Sequence, residues 1–360
     1  MAQIGIHGIG TYLPPQVRGN DWWPSTVVDK WRQKANAKLL RAATSPEATE
    51  TEGQARMVAA MAAQGDDPFF GCRERRVLEA GRTSTEMELP AANEALARAN
   101  VDPSEIDLLL TYTTTPQFAV APEFGVLHRG LGLRPSCMST TTDAVCNAFA
   151  IQLTLAAGMI AGGRVRYALL VQSSAISRLL DPEDPTSTLF SDAASAVVVG
   201  PVAERHGLIG YAHGTDGAFH GGLVCGVPGG TWYDEGRVVA WSQDARVGRK
   251  MVLNLADQAR QIVGDALIDA KVTADEIDFY ASHQPTDWLR RLTQQYAGLT
   301  NARGVDTFPW TGSLMPCNVP FQLAIGEREG LLGEGDLVAT YTGGSGASWA
   351  GLIMRWGGHT

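Results

Sequence analysis

Glu94-Ala-Leu-Ala-Arg-Ala-Asn-Val-Asp-Pro-Ser-Glu-Ile-Asp107 recurs without a gap as Asp265-Ala-Leu-Ile-Asp-Ala-Lys-Val-Thr-Ala-Asp-Glu-Ile-Asp278, 171 residues further along the chain (265 − 94). The shared positions are Ala95/Ala266, Leu96/Leu267, Ala99/Ala270, Val101/Val272, Glu105/Glu276, Ile106/Ile277 and Asp107/Asp278. Each copy runs from an amphipathic helix through a short polar turn into an apolar strand, Leu108 to Tyr112 in one and Phe279 to Ala281 in the other. Helix, turn and strand recur by chance in α/β proteins, but here the turn residues recur as well. Such a repeat constrains the whole fold. It divides the chain into two halves of similar topology, 1–203 and 204–360.

Working outward, Tyr167-Ala-Leu-Leu-Val-Gln and Ala194-Ser-Ala-Val-Val-Val-Gly read as buried strands, and Arg249 to Ile268 as a long helix. The stretch 21–67 differs. It is polar and helix-prone, contains Thr44-Ser-Pro-Glu-Ala-Thr-Glu-Thr-Glu52, and reads as a surface insertion.

The 360 residues are 44% hydrophobic and 19% charged, enough apolar surface for a sizeable core. A formal net charge of -9 argues against an electrostatic grip on nucleic acid or an anionic membrane surface. The first residues carry no cationic segment followed by an unbroken apolar run, so they read as a strand rather than a secretory signal. Ala144 to Gly163 is apolar but broken by Asn147, Gln152 and Thr154, which suits a buried helix and not a membrane span. The five cysteines are scattered, odd in number and never in a CxxC pair. Neither a disulfide framework nor a zinc site is expected, and the location expected is cytoplasmic.

Cys146 opens the small-residue helix Asn147 to Ala161. A helix N-terminus favours a thiolate, which makes this sulfur a candidate nucleophile with a lowered pKa; the plain alternative is a buried cysteine acting as a small apolar residue. His283, in Ser282-His283-Gln284-Pro285, follows the second copy's strand, where Pro285 ends pairing and ligands gather. Asn318, in a Pro/Gly-rich loop before an apolar helix, is most simply an N-cap, and Cys317 is a competing nucleophile. The glycine cluster Gly343-Gly344-Ser345-Gly346 between two terminal strands could offer a backbone N–H to an oxyanion, or make a tight turn. It lacks the spacing of a phosphate loop.

In combination these motifs resemble the beta-ketoacyl-ACP synthase III branch of the thiolase superfamily over nearly the whole chain. Ile6-His-Gly-Ile-Gly-Thr-Tyr-Leu-Pro14 is similar to its opening strand, and Gly71-Cys-Arg-Glu-Arg-Arg-Val77 to its Gly-Ile-Arg-Glu-Arg segment. Ala144-Val-Cys146-Asn-Ala-Phe149 resembles the nucleophile motif, with Ala148 in place of the usual glycine. Phe190-Ser-Asp192-Ala-Ala-Ser-Ala-Val, His283-Gln-Pro and Cys317-Asn318-Val complete the set.

The resemblance implies an α/β thiolase fold: two similar halves, each with a mixed five-stranded sheet, layered α-β-α-β-α. It implies catalysis by Cys146, His283 and Asn318, and an oxyanion hole from the amide of Cys146 with one among Gly344, Ser345 and Gly346. Substrate contacts are expected at Phe118, Phe190, Gln284 and Ser313. The substrates would be CoA or acyl-carrier-protein thioesters, with no metal or other cofactor. A homodimer is expected, with the loop Thr113 to Ala121 carrying Phe118 into the partner's pocket.

Departures bear on the substrate. The 21–67 insertion is long, Pro285-Thr286 replaces the usual Ala-Asn, and Gly344-Ser-Gly-Ala-Ser-Trp-Ala resembles specialised relatives. They point to polyketide or other specialised-metabolite synthesis, and retention of both His283 and Asn318 favours decarboxylative condensation with a malonyl-type or beta-keto thioester. The alternatives are acyl transfer to an oxygen or nitrogen nucleophile and, less favoured, a hydroxymethylglutaryl-CoA synthase-like activity (Glu86, Glu88) or a hydrolase. Head-to-head condensing relatives carry a glutamate where this chain has Ala121, with Glu123 nearby.

Overall fold

The computed structural model describes residues 3–44, 49–65 and 67–358. The first half contributes β1 (Gln3–Tyr12), β2 (Gln16–Gly19), β3 (Glu74–Val77), β4 (Ile106–Thr113), β5 (Met138–Thr141), β6 (Tyr167–Ser174) and β7 (Ala193–Val202). Five of these form one mixed sheet in the order β1-β7-β6-β4-β5, with β4 parallel to both β5 and β6. The second half contributes β8 (Gly207–Thr215), β9 (Val224–Gly226), β10 (Val239–Trp241), β11 (Phe279–Ser282), β12 (Leu337–Gly344) and β13 (Ser348–Arg355). Its sheet runs β11-β12-β13-β8.

The fifth place in that second sheet is reduced to one bridge, Phe279 to Arg303. The counterpart strand β5 is Met-Ser-Thr-Thr, whereas Thr300-Asn-Ala-Arg-Gly304 is poor in β-branched and aromatic residues.

The helices are α1 (Ser25–Thr44), α2 (Glu52–Ala63), α3 (Thr85–Ala99), α4 (Phe124–Leu131), α5 (Ala148–Ala161), α6 (Ala245–Leu253), α7 (Leu255–Ala270), α8 (Leu289–Tyr296), α9 (Phe308–Thr311) and α10 (Asn318–Arg328). The central layer is α5 and α10: Phe149, Leu153, Phe321 and Leu323 share one core with Leu108 and Leu170 of the first sheet and Phe279 and Leu352 of the second. A helix between two sheets must be apolar all round, which explains the composition of α5. Met87, Ala91 and Leu127 cover the outer face of the first sheet, and Ala259, Ile262 and Val263 that of the second.

The repeat that opened the sequence reading has a structural cause. Helix α3 ends on Asn100 at φ 52 and α7 on Lys271 at φ 58, each in the left-handed conformation. Capping boxes follow, Asp102 with Glu105 and Thr273 with Glu276. The shared aspartates then clamp the next strand. Asp107 accepts the amide of Arg166 at 2.8 Å, and Asp278 accepts that of Leu337 at 2.9 Å.

In the insertion, Trp23, Val28, Trp31 and Phe69 make a small core of their own. The Trp31 Nε1–H anchors it to the Glu183 carbonyl at 2.7 Å. The segment Ser45 to Ala48 lies outside the described residues. Among the described residues no helix is long and apolar enough to cross a membrane.

Candidate active site

Two facing turns between the sheets carry Cys146 and lead into Asn318, and His283 joins them from the end of β11. One is the single helical turn Val145–Asn147, which runs directly into α5; the other is Met315–Cys317, which runs into α10. Val145 sits at φ 50 and Met315 at φ 54, a conformation that costs non-glycine residues about 1–3 kcal/mol each. Val145, being β-branched, is the stronger outlier.

The first turn is bolted to the β12–β13 hairpin. The buried Asn147 donates to Ser348 Oγ at 3.2 Å and accepts a short hydrogen bond from Thr342 Oγ1. Gly344 lies against the same turn: a Cβ there would come 2.6 Å from the Ala144 carbonyl oxygen and 3.3 Å from the Cys146 amide. Only glycine allows that approach. Gly346, at φ 109, makes the hairpin turn, and the Ser345 hydroxyl is tied to the Leu223 carbonyl.

Across from Cys146, Met315 Sδ is 3.7 Å from the cysteine sulfur. His283 leaves β11 with its amide on the Tyr341 carbonyl at 2.8 Å. Gln322 of α10 holds the preceding Ser282 by both its N–H and its carbonyl. Asn318 Nδ2 lies 2.9 Å from His283 Nδ1, 3.2 Å from Ser313 Oγ and 3.1 Å from the Met315 carbonyl, while Asn318 Oδ1 accepts the Leu314 amide. Its side chain therefore makes no helix cap, contrary to the simplest reading of an isolated asparagine. With Nδ1 as acceptor, the neutral imidazole carries its proton on Nε2.

Burial sets the protonation states. It pulls the His283 pKa down to about 4, against a weaker opposing pull from the Met315 carbonyl, so the ring is neutral at physiological pH. It also pushes the Cys146 thiol up to about 12, with Cys317 adding to the rise and the amide of Cys146 opposing it. The lowered thiol pKa expected from a helix start is thus reversed. The sulfur lies on a separate turn before α5 begins, and burial is the leading cause of the rise.

A cavity of about 630 Å³ opens beside the two residues that flank the sulfur, Val145 and Met315. Phe190 and Ile176 line it, Ser345 and Gly346 form one rim, and β9 and β10 supply Val224, Cys225 and Ala240 on another.

The profile described as 3-oxoacyl-(acyl-carrier-protein) synthase III matches residues 142–217, and its C-terminal counterpart matches 267–356. A beta-ketoacyl-(acyl-carrier-protein) synthase III of Rhizorhabdus wittichii is 32% identical over 292 residues, 79% of this chain and 88% of that protein. This chain belongs to the 3-oxoacyl-(acyl-carrier-protein) synthase III family. Its fold is the thiolase fold, and it is an acyltransferase of the ketosynthase type. The enzyme from Aquifex aeolicus superposes with a TM-score of 0.77 at 22% identity, over 98% of this chain and 100% of its own. The priming beta-ketosynthase of the R1128 polyketide pathway does so with a TM-score of 0.77 at 24% identity, over 100% and 98%.

In this synthase III chain, Cys146, His283, Asn318 and Gly344 converge, and Phe190 lines the main cavity. Two expected substrate contacts face elsewhere. Gln284 is buried, donates to the Val305 carbonyl at 2.6 Å and accepts from the Thr307 and Phe308 amides, so it staples a loop. Ser313 is fully buried behind Asn318 and positions it. Phe118 is 61% exposed and lines a second cavity of the same chain. Sequence reading gave no signal for Met315 or Tyr112; Asn147 carried only its adjacency to Cys146.

Proposed function

We propose that Cys146 takes an acyl group from a CoA or acyl-carrier-protein thioester and joins it to a malonyl-type thioester with loss of carbon dioxide, in a specialised-metabolite pathway. The observation that carries this reading is the His283–Asn318 contact at 2.9 Å, made at the start of α10 beside the turn whose Met315 touches the Cys146 sulfur. In the condensing step the malonyl C–carboxylate bond breaks and its electron pair forms an enolate. The enolate carbon attacks the acyl carbonyl, the bond to sulfur breaks, and the sulfur takes up a proton. A neutral His283 donates from Nε2–H to the enolate oxygen without titrating. Asn318 holds the ring in that tautomer, and to act as the second donor its other N–H must turn from Ser313 Oγ or the Met315 carbonyl toward the enolate.

The amide of Cys146 with one from the Gly344–Gly346 turn would hold the thioester oxyanion. Two relatives support the substrate class by their descriptions: one primes a polyketide pathway, and OleA of Xanthomonas campestris, similar at a TM-score of 0.70, was seen with lauric acid and lauroyl-CoA. Acyl transfer to an oxygen or nitrogen acceptor is the competing reading. It needs Cys146 but no enolate donors.

The deciding experiment loads Cys146, adds malonyl thioester, and follows carbon dioxide. Asn318→Ala should lose about 3 kcal/mol of stabilisation, roughly a hundredfold in rate, with acylation nearly spared. A wild type that releases no carbon dioxide yet passes its acyl group to an alcohol or amine, equally well as Asn318→Ala, would replace the condensation reading.

Pairing into a homodimer is part of the proposal. Edge strand β5 exposes Met138, and the adjoining loop exposes Phe118 and Val120, an apolar border that a second copy would cover. A fully active monomer in sedimentation at micromolar concentration would sink this part.

A further inference from the structure

A second cavity, of about 300 Å³, lies between β4, the loop before α4 and the buried face of α3. It shares Tyr112 and Asp143 with the larger cavity, so the two adjoin. Two buried glutamates line it. Glu88 is 1% exposed and Glu123 is 7% exposed. Each uses one oxygen and leaves the other without a partner. Glu88 Oε1 accepts from Ser173 Oγ at 2.5 Å, and Glu123 Oε1 accepts from the Gln117 amide at 2.6 Å, while Oε2 of both residues is unsatisfied.

Leaving a buried carboxyl oxygen unpaired is costly unless something fills the need. Among the described residues, no ion pair or hydrogen bond serves either Oε2. The charged groups that act on the pair are few: Glu123 raises Glu88, and Arg178 acts on Glu123 in the opposite sense. Burial pushes the Glu88 carboxyl up to about 8, with Glu123 adding to the shift, so near neutral pH the pair holds a proton that a bound cation would release. No group of three or more metal-ligating side chains is found among the described residues, so a metal ion is not the fitting cation.

We propose that this cavity receives the far end of the acyl group, and that the acyl group carries an ammonium there, held between Glu88 Oε2 and Glu123 Oε2. The inference rests on the proposed loading of Cys146 and names its substrate class: amino-acyl thioesters. Two features favour the acyl chain over a separate acceptor. Tyr112 and Asp143 line both cavities, so they partition the carboxyls from the cavity that opens beside Val145 and Met315. Phe118, Ala119 and Pro122 give the same cavity an apolar wall suited to methylene groups. An amine at the glutamates is recognised without reacting, because the thioester lies on the far side of Tyr112.

The test uses matched CoA thioesters that differ only in ammonium against methyl: beta-alanyl-CoA against butyryl-CoA, and epsilon-aminohexanoyl-CoA against heptanoyl-CoA. Loading of Cys146 is followed by intact mass. In the wild type, one amino member should load about tenfold faster or more than its methyl partner, the factor that one charge-assisted hydrogen bond supplies. That ratio should collapse toward one in Glu88→Gln and in Glu123→Gln. The more peripheral Glu123 keeps the test open if Glu88→Gln fails to fold. Methyl partners that load as fast as or faster than amino members overturn the inference and leave the acylation reading intact, as does a ratio unchanged in the variants. An omega-hydroxyacyl-CoA that loads as well as the amino member also overturns it, because the site then reads a neutral donor. If no thioester loads Cys146, the acylation reading fails and the inference fails with it.

Discussion

The turns Val145–Asn147 and Met315–Cys317 occupy matching places in the two halves, each running into the helix that lies between the sheets, yet they carry different groups. Both hold a non-glycine residue at φ near 50 and both precede an apolar central helix. In the first half the turn sets Cys146 beside the main cavity. In the second it buries Cys317 completely, with its sulfur donating to the Gln172 carbonyl at 3.4 Å, and it is the next residue, Asn318, that faces the site. The two halves thus use one backbone device twice, but the nucleophile Cys146 directly follows its positive-φ residue, whereas the donor Asn318 lies three residues after Met315.

The largest effect expected from that comparison is all or none. Incubated with an acyl thioester, wild type and Cys317→Ala should gain the acyl mass, and Cys146→Ala should gain none. An equal adduct on Cys146→Ala would move the nucleophile to the second turn and reverse the roles of the halves. The hundredfold loss expected for Asn318→Ala ranks next, since it removes a donor and leaves the sulfur in place.

The same comparison shows which parts were legible in the sequence. Asp107 and Asp278 stood out as identities because each clamps an amide at the start of a neighbouring strand, Arg166 just before β6 and Leu337 at the head of β12, a role that tolerates little change. Cys146, His283 and Asn318 were legible because each sits at a chain punctuation: a helix start, a strand end before proline, a Pro/Gly loop. Met315 was not. An apolar residue packed on a sulfur looks in sequence like any other core residue. Gln284 was misleading for a related reason: it neighbours His283 in the chain, but successive residues after a strand point to opposite sides, and its amide turns into the Val305–Phe308 loop. The unpartnered oxygens of Glu88 and Glu123 could not be read either, because their meaning lies in what is missing around them. The thinning of the second sheet at Arg303 was hidden by the repeat itself, which ends at Asp278 and says nothing of residues 300–304.

The smallest expected effect concerns the protonation of the two cysteines, and it sharpens the comparison further. Burial pushes both thiols up to about 12, so the shared device lowers neither pKa in the free enzyme. A thiolate that is scarce at neutral pH becomes more abundant by about tenfold per pH unit until the pKa is passed. Alkylation of Cys146 by iodoacetamide should therefore rise about tenfold per unit between about pH 7 and pH 10, with no plateau. Cys317 should stay unmodified throughout, because it has no exposed surface. The sign for stability runs the same way. The folded state keeps a proton that the unfolded chain releases above the ordinary value of 9.0, so this contribution is intact below that pH and is lost as pH rises toward about 12. An alkylation rate that levels off near neutral pH would show that the dipole of α5 outweighs desolvation at Cys146. The first turn would then differ from the second in electrostatics as well as in exposure.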